Sequence, residues 1–209
     1  MDNSVVEIII NKLDGYHKEA VCELDFGSVY ELLVAVILSA QCTDKRVNIV
    51  TKDLFAVANT PVEMLKLGSE RLEKIILPCG FYRNKAKNIL GASEKILSDY
   101  GGEVPGTLEE LIKLPGVGRK TANVVYAVGF GGDAIAVDTH VFRVSRRIGF
   151  SNGATPLDVE EDLMRIIPKD KWSKTHHLLI HQGRYVCSSR MPKCDVCPIA
   201  DECSSRNAK

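Results

Sequence analysis

The sequence predicts an all-α protein, and three observations predict it. First, helix starts recur: Ser28, Thr60, Thr107 and Thr155 are each followed three residues later by an acidic side chain (Glu31, Glu63, Glu110, Asp158), the pattern that satisfies orphan N–H groups in a first turn. Second, apolar residues recur at spacings of three and four, as in Val50, Leu54, Val57; Leu72, Ile75, Ile76; and Ala86, Ile89, Leu90, Ile96. That spacing lays them on one face of a helix. Third, no two alternating strand-like segments are joined by a hairpin turn. The expectation is about ten short helices.

In chain order, Ser28-Val29-Tyr30-Glu31 opens a helix that is apolar nearly all round from Glu31 to Leu38. A helix without a polar face has to be enclosed by others. Thr60-Pro61 starts another, with proline where its missing N–H costs nothing. Thr107 caps a short helix before a Pro-Gly turn, and a second helix apolar nearly all round is expected over Thr121–Phe130. Gly129, Gly131 and Gly132 mark the best domain boundary. Ala134–Val137 is the only plausible strand, without a partner in sight. Asp138 then caps a helix beginning at Thr139, and Thr155-Pro156 starts one more. The tail from Ser204 to Lys209 is expected to fray.

The 209 residues are 45% hydrophobic and 26% charged, which excludes a disordered chain. The longest apolar run, Leu32 to Leu38, is seven residues, far short of the roughly 18 a membrane span needs. Met1-Asp2-Asn3-Ser4 lacks the basic start of a secretory signal, so a cytoplasmic location is expected. The 27 basic and 27 acidic residues cancel, which taken alone disfavours a nonspecific polyanion binder. The charge is nevertheless segregated. Lys113, Arg119, Lys120, Arg143, Arg146 and Arg147 lie in a stretch whose acidic residues are Asp133 and Asp138, and Arg83, Lys85, Lys87 and Lys95 surround Glu94 alone. These stretches are either solvated helix faces or a basic patch for nucleic acid.

Seven cysteines, an odd number, argue against a disulfide framework. Cys22, Cys42 and Cys79 are scattered and read as packed free thiols. Cys187, Cys194, Cys197 and Cys203 are spaced C-x6-C-x2-C-x5-C, close enough to hold a metal centre. Zinc sites favour two short hooks, and only Cys194 and Cys197 form one, so the spacing favours an iron–sulfur cluster over zinc. Four unliganded thiols remain the bland alternative.

The most informative stretch is Leu111-Ile112-Lys113-Leu114-Pro115-Gly116-Val117-Gly118-Arg119-Lys120-Thr121-Ala122. Pro115 and Gly116 turn the chain, Val117 plugs it with an apolar side chain, and Gly118 opens the next helix. Free N–H groups at such a helix start favour an anion. The arrangement is a helix-hairpin-helix, a device that holds a nucleic-acid phosphate through the main chain without reading sequence. Its bland alternative is a tight turn with no ligand. Lys120, in the first turn, sits where the helix dipole disfavours a cation. It is either a phosphate-pairing lysine or, with partial burial, a nucleophilic amine. Asp138 is a helix cap that a rigid apolar lead-in could hold as a fixed anion, suited to stabilising a developing cation.

Taken together, four pieces resemble the endonuclease III family of base-excision DNA glycosylases: Leu38-Ser39-Ala40-Gln41 with Thr43-Asp44; Leu114 to Val124; Val137 to Val141; and the four-cysteine cluster. The resemblance spans nearly the whole chain. It implies two helical domains flanking a DNA cleft, a six-helix barrel over residues 22–132 and a second domain of 1–21 plus 133–209 carrying a [4Fe–4S] cluster on Cys187, Cys194, Cys197 and Cys203. It implies Lys120 as nucleophile and Asp138 as the essential carboxylate, and therefore combined glycosylase and lyase action. The related mispair-adenine glycosylases lack a lysine at this position. Gln41 is the implied filler of the hole left by an extruded nucleotide. Phe81 is the implied wedge, where family members often carry Leu. Leu114, Gly116, Val117, Gly118 and His140 are the implied DNA contacts, and the loop Ser188–Lys193 that the cysteines pin is expected to bind phosphate through Arg190 and Lys193. The implied substrate is an oxidised pyrimidine, and the implied partner is duplex DNA with damaged bases or abasic sites. The implied protein is a monomer associated with the nucleoid and not with membrane. Without the resemblance two other classes stay open. One is a DNA-binding scaffold with a zinc knuckle. The other is a ferredoxin-like electron carrier, which leaves Lys120 unexplained.

Overall fold

A computed structural model describes residues 2–207. Among the described residues the regular structure is helical throughout, and the chain divides into two compact units. One is Glu23–Gly132. The other is built from both ends of the chain, running to Cys22 and resuming at Asp133.

The N-terminal helix α1 (Asn3–Tyr16) is capped by Asp2 and buries Val6, Ile9, Ile10 and Leu13. The Glu23–Gly132 unit carries α2 (Val29–Ser39), α3 (Asp44–Phe55), α4 (Pro61–Ile76), α5 (Tyr82–Tyr100), α6 (Leu108–Leu111) and α7 (Arg119–Val124). The expected caps are present: Ser28, Thr60 and Thr107 accept from the N–H three residues on. Every residue of α2 from Leu32 to Leu38 is buried, so this helix is the enclosed piece that its composition demanded. Leu54, Met64, Leu72, Ile76, Ile89, Ile96 and Leu111 are fully buried in the same unit. α4 is broken at Gly68, where φ is +75°.

The second apolar helix is present, with a change of helix type inside it. It begins at Arg119, is α-helical only to Val124, and continues as a π-type turn over Val125–Gly129. Ala122, Asn123, Val125 and Ala127 are buried, while Val124, Tyr126 and Val128 are half-buried. Glycines end it for packing reasons. A Cβ on Gly129 would press on Val29 and Leu32, and one on Gly132 would strike the Tyr126 ring at 2.2 Å.

The other unit adds α8 (Thr139–Ile148), α9 (Pro156–Ile166), α10 (Trp172–His181) and α11 (Ser204–Asn207) to α1. Thr155 and Asp158 form a full capping box on α9. Val141, Val144, Ile148, Val159, Leu163, Leu178 and Leu179 pack with the apolar face of α1 in one core. The expected strand is not one. Ala134–Val137 is buried but carries no regular secondary structure, and no strand lies beside it among the described residues. The tail expectation is also corrected: 204–207 form α11, held by Ser204 Oγ donating to the Ile148 carbonyl at 3.1 Å. Residues 208–209 lie outside the described range.

Candidate active site and nucleic-acid interface

Within the Glu23–Gly132 unit, the hairpin is fixed from below. Leu111, Leu114 and Val117 bury their side chains, so whatever Leu114 and Val117 offer a ligand is main chain. The Val117 N–H is already spent on the Leu114 carbonyl at 3.1 Å. Gly116 has φ +77°, and a Cβ there would lie 2.6 Å from Asn88 Cβ of α5. Left-handed backbone and close approach each require glycine at that position. Gly118 differs: it is extended at φ −85°, and a Cβ would meet nothing within 4 Å. Nothing inside the protein demands a glycine there, and the open space is what a phosphate approaching the backbone needs. The N–H groups of Gly116 and Gly118 have no acceptor among the described residues.

Lys120 is the second residue of α7 and is exposed. The expected partial burial is absent, because the buried side of this turn is taken by Ala122 and Asn123.

Gln41 and Phe81 share an unusual feature. Among the described residues they are the non-glycine positions with positive φ, +54° and +48°, and both are exposed, Phe81 by 69%. Such backbone costs about 1–3 kcal/mol per residue and persists only where the surroundings over-determine it. Gln41 follows the end of α2, ahead of the Thr43 cap on α3. Phe81 follows Gly80 and precedes α5, whose Lys85 N–H bonds the Phe81 carbonyl at 3.1 Å.

In the other unit, Asp138 Oδ1 accepts from the N–H groups of His140 and Val141, both at 2.8 Å. The buried Ala134–Val137 segment fixes the main chain just before it. His140 is half-buried against Gly183, where a Cβ would come within 2.8 Å of His140 Cβ. Its Nδ1 lies 3.2 Å from Arg143 Nη2.

The basic stretches are corrected in three places. Arg143 donates to the Gly183 carbonyl at 2.9 Å and to the Cys187 carbonyl at 3.2 Å. Arg147 donates to the Ser188 and Ser189 carbonyls at 2.6 and 2.8 Å. Both guanidinium groups tie α8 to the cysteine loop. Lys85 is buried. Sequence reasoning missed these roles because each of the three side chains has a partner carbonyl 40 or more residues away.

Cys187, Cys194, Cys197 and Cys203 line one common pocket with Ile148, Gln182, Val186 and Ile199. Gln182 Nε2 donates to Cys197 Sγ at 3.2 Å and Arg147 Nη1 to Cys187 Sγ at 3.4 Å. Gln182 is in turn held by His17 Nε2, 2.8 Å from its Oε1. Among the described residues no three His, Cys, Asp or Glu side chains are gathered tightly enough for a single ion. Four thiol side chains around one pocket are the donor set that an iron–sulfur cluster takes. The donor set fits the cluster. Arg190 and Lys193 are exposed on the same loop, whose turn is closed by Ser188 Oγ donating to the Met191 carbonyl at 2.6 Å.

Among the described residues no helix is long and apolar enough to cross a membrane. Residues 34–169 match the profile of the HhH-GPD superfamily of base excision DNA repair proteins. The chain is 52% identical to endonuclease III of Bacillus subtilis strain 168, covering 95% of this chain and 91% of that one. It is 46% identical to endonuclease III of Escherichia coli K12, covering 93% and 92%. Its fold matches a trapped endonuclease III–DNA covalent intermediate with a TM-score of 0.94 and 47% identity, over 100% of this chain and 98% of that one. A non-covalent endonuclease III–DNA complex matches equally, at 0.94 and 46%, with the same coverage. The chain belongs to the endonuclease III family of helix-hairpin-helix base excision repair proteins.

Proposed function

We propose that this protein is a DNA glycosylase and abasic-site lyase that removes oxidised pyrimidines from duplex DNA, with Lys120 as its nucleophile. The observation that carries this reading is an exposed lysine in the first turn of α7, two residues after Gly118, whose backbone is open to an approaching phosphate. The covalent DNA intermediate formed by a relative of the same fold supports it.

The target C1′ is unreachable inside a duplex, so the nucleotide has to leave the stack, which is cheapest for a damaged base. Gln41 and Phe81 fill the gap and offset the unstacking. The free Gly116 and Gly118 N–H groups hold a backbone phosphate. His140, Arg190 and Lys193 contact the strand. Asp138 stabilises positive charge on the sugar as the N-glycosidic bond breaks and the base leaves with the bonding pair. The Lys120 amine bonds to C1′, and ring opening gives a Schiff base. Loss of a C2′ proton then expels the 3′ phosphate, and hydrolysis frees Lys120. Cys187, Cys194, Cys197 and Cys203 would hold a [4Fe–4S] cluster. When bound, that cluster supplies a cross-link between four points of the chain and a one-electron redox centre; the excision steps consume neither.

Borohydride reduction tests the reading. The wild type incubated with duplex carrying an oxidised thymine yields a covalent protein–DNA adduct, and Lys120→Gln yields none. An adduct formed undiminished by Lys120→Gln overturns the assignment.

A further inference from the structure

Lys85 is 4% exposed and has no carboxylate partner among the described residues. A buried ammonium is costly unless its donors are satisfied. Here two main-chain carbonyls do so: Leu38 O at 2.9 Å and Cys79 O at 2.8 Å. Leu38 lies in the last turn of α2, where carbonyls lack intrahelical donors and carry partial negative charge. Cys79 closes the 3₁₀ turn Leu77–Cys79. Gln41 comes three residues after Leu38, and Phe81 two residues after Cys79. The Cys42 and Cys79 thiols interact with each other beside the same ammonium. Burial pulls the lysine below its usual range, and the two sulfurs oppose that shift. A methionine would fill this space without the desolvation cost. What it could not do is join the two loops.

We infer that Lys85 is a positioning residue for base extrusion: its ammonium ties together the backbones that hold Gln41 and Phe81 in left-handed conformation, so that the two side chains enter the duplex as one rigid pair. Lys85 touches no substrate. The inference rests on the assignment of Gln41 and Phe81 as the inserting side chains.

The test compares two single-turnover rates for the full-length, cluster-containing protein. One is excision of an oxidised thymine, which requires unstacking a base. The other is cleavage of an abasic site, where there is no base to unstack. In Lys85→Met the ratio of excision to abasic cleavage falls at least tenfold. The fluorescence rise of a 2-aminopurine beside the lesion, read in a Lys120→Gln background where no chemistry follows, falls with it. A merely structural lysine would scale both rates by the same lost active fraction and leave their ratio unchanged; that result overturns the inference. If Lys85→Met does not fold, Lys85→Gln, neutral but still a donor, takes its place. Failure of both to fold makes Lys85 a folding residue and overturns the positioning role. Gln41→Ala and Phe81→Ala run alongside. If both slow excision and Lys85→Met leaves the ratio intact, the clamp alone is wrong. If neither slows excision, the insertion assignment fails and the clamp with it.

Discussion

Asp138 holds two main-chain N–H groups of α8 through one oxygen, Oδ1, and this separates its structural role from the chemical one proposed for it. Asparagine caps a helix about as well as aspartate, whereas alanine costs roughly 0.5–2 kcal/mol. Asp138→Asn is therefore expected to keep the melting temperature within a few degrees while excision falls about 100-fold or more, the scale of losing one preorganised electrostatic group. Asp138→Ala is expected to lose both. Thermal unfolding and single-turnover excision check the pair, and an active Asp138→Asn would leave the carboxylate with only its capping role. The cap was legible because it is local: aspartate before a helical run is a pattern within four residues. Lys85, Arg143 and Arg147 were not legible. Each reads as a surface cation on an amphipathic helix, and each instead answers carbonyls up to 47 residues away. Sequence spacing contains no record of those pairings.

At the scale of the element, the hairpin shows two glycines with different reasons for being glycine. Gly116 is fixed by positive φ and by Asn88, and Gly118 by neither. Left-handed backbone costs a non-glycine residue about 1–2 kcal/mol before any clash. Gly116→Ala is thus expected to lower stability by at least about 2 kcal/mol. Gly118→Ala sits in an ordinary extended conformation. A poorer cap and a stiffer unfolded chain nearly cancel, leaving stability within about 1 kcal/mol. Its new methyl nevertheless occupies the face proposed for phosphate, so affinity for a duplex with an abasic-site analogue is expected to fall about tenfold, roughly the value of one main-chain contact to an anion. Urea unfolding and a binding titration separate the two. Equal affinity of Gly118→Ala and wild type would remove the phosphate from that face. The hairpin was readable in advance because turn, plug and cap lie within a dozen residues. The second helix was placed within two residues at its start and one at its end, but periodicity does not show where an α-helix relaxes into a π-helix.

At the scale of the whole molecule, the unit built from both chain ends has its own electrostatic signature. α1 is joined to α10 by Lys174 Nζ and Asp14 Oδ1 at 2.8 Å and reaches the segment after α10 through His17 and Gln182. No periodicity in the sequence announces that a first helix will pack with a last one. The same packing sets a pH dependence. On α10, burial first, then the neighbouring His181, Lys174 and Arg184, push the His177 imidazole down to about 4. In the unfolded chain it titrates near 6.5. Between those values the unfolded state binds the extra proton, so the stability contribution is complete above pH 6.5 and is lost as pH falls toward 4. By this linkage the wild type should lose about 2 kcal/mol from His177 between pH 7.5 and pH 5. His17, also held below its usual range by burial, changes stability in the same direction and remains in a His177 variant. His177→Asn is therefore expected to flatten the profile without abolishing its slope. Urea unfolding at pH 7.5, 6 and 5 measures it, and parallel profiles for variant and wild type would mean that His177 is not held neutral in the folded protein.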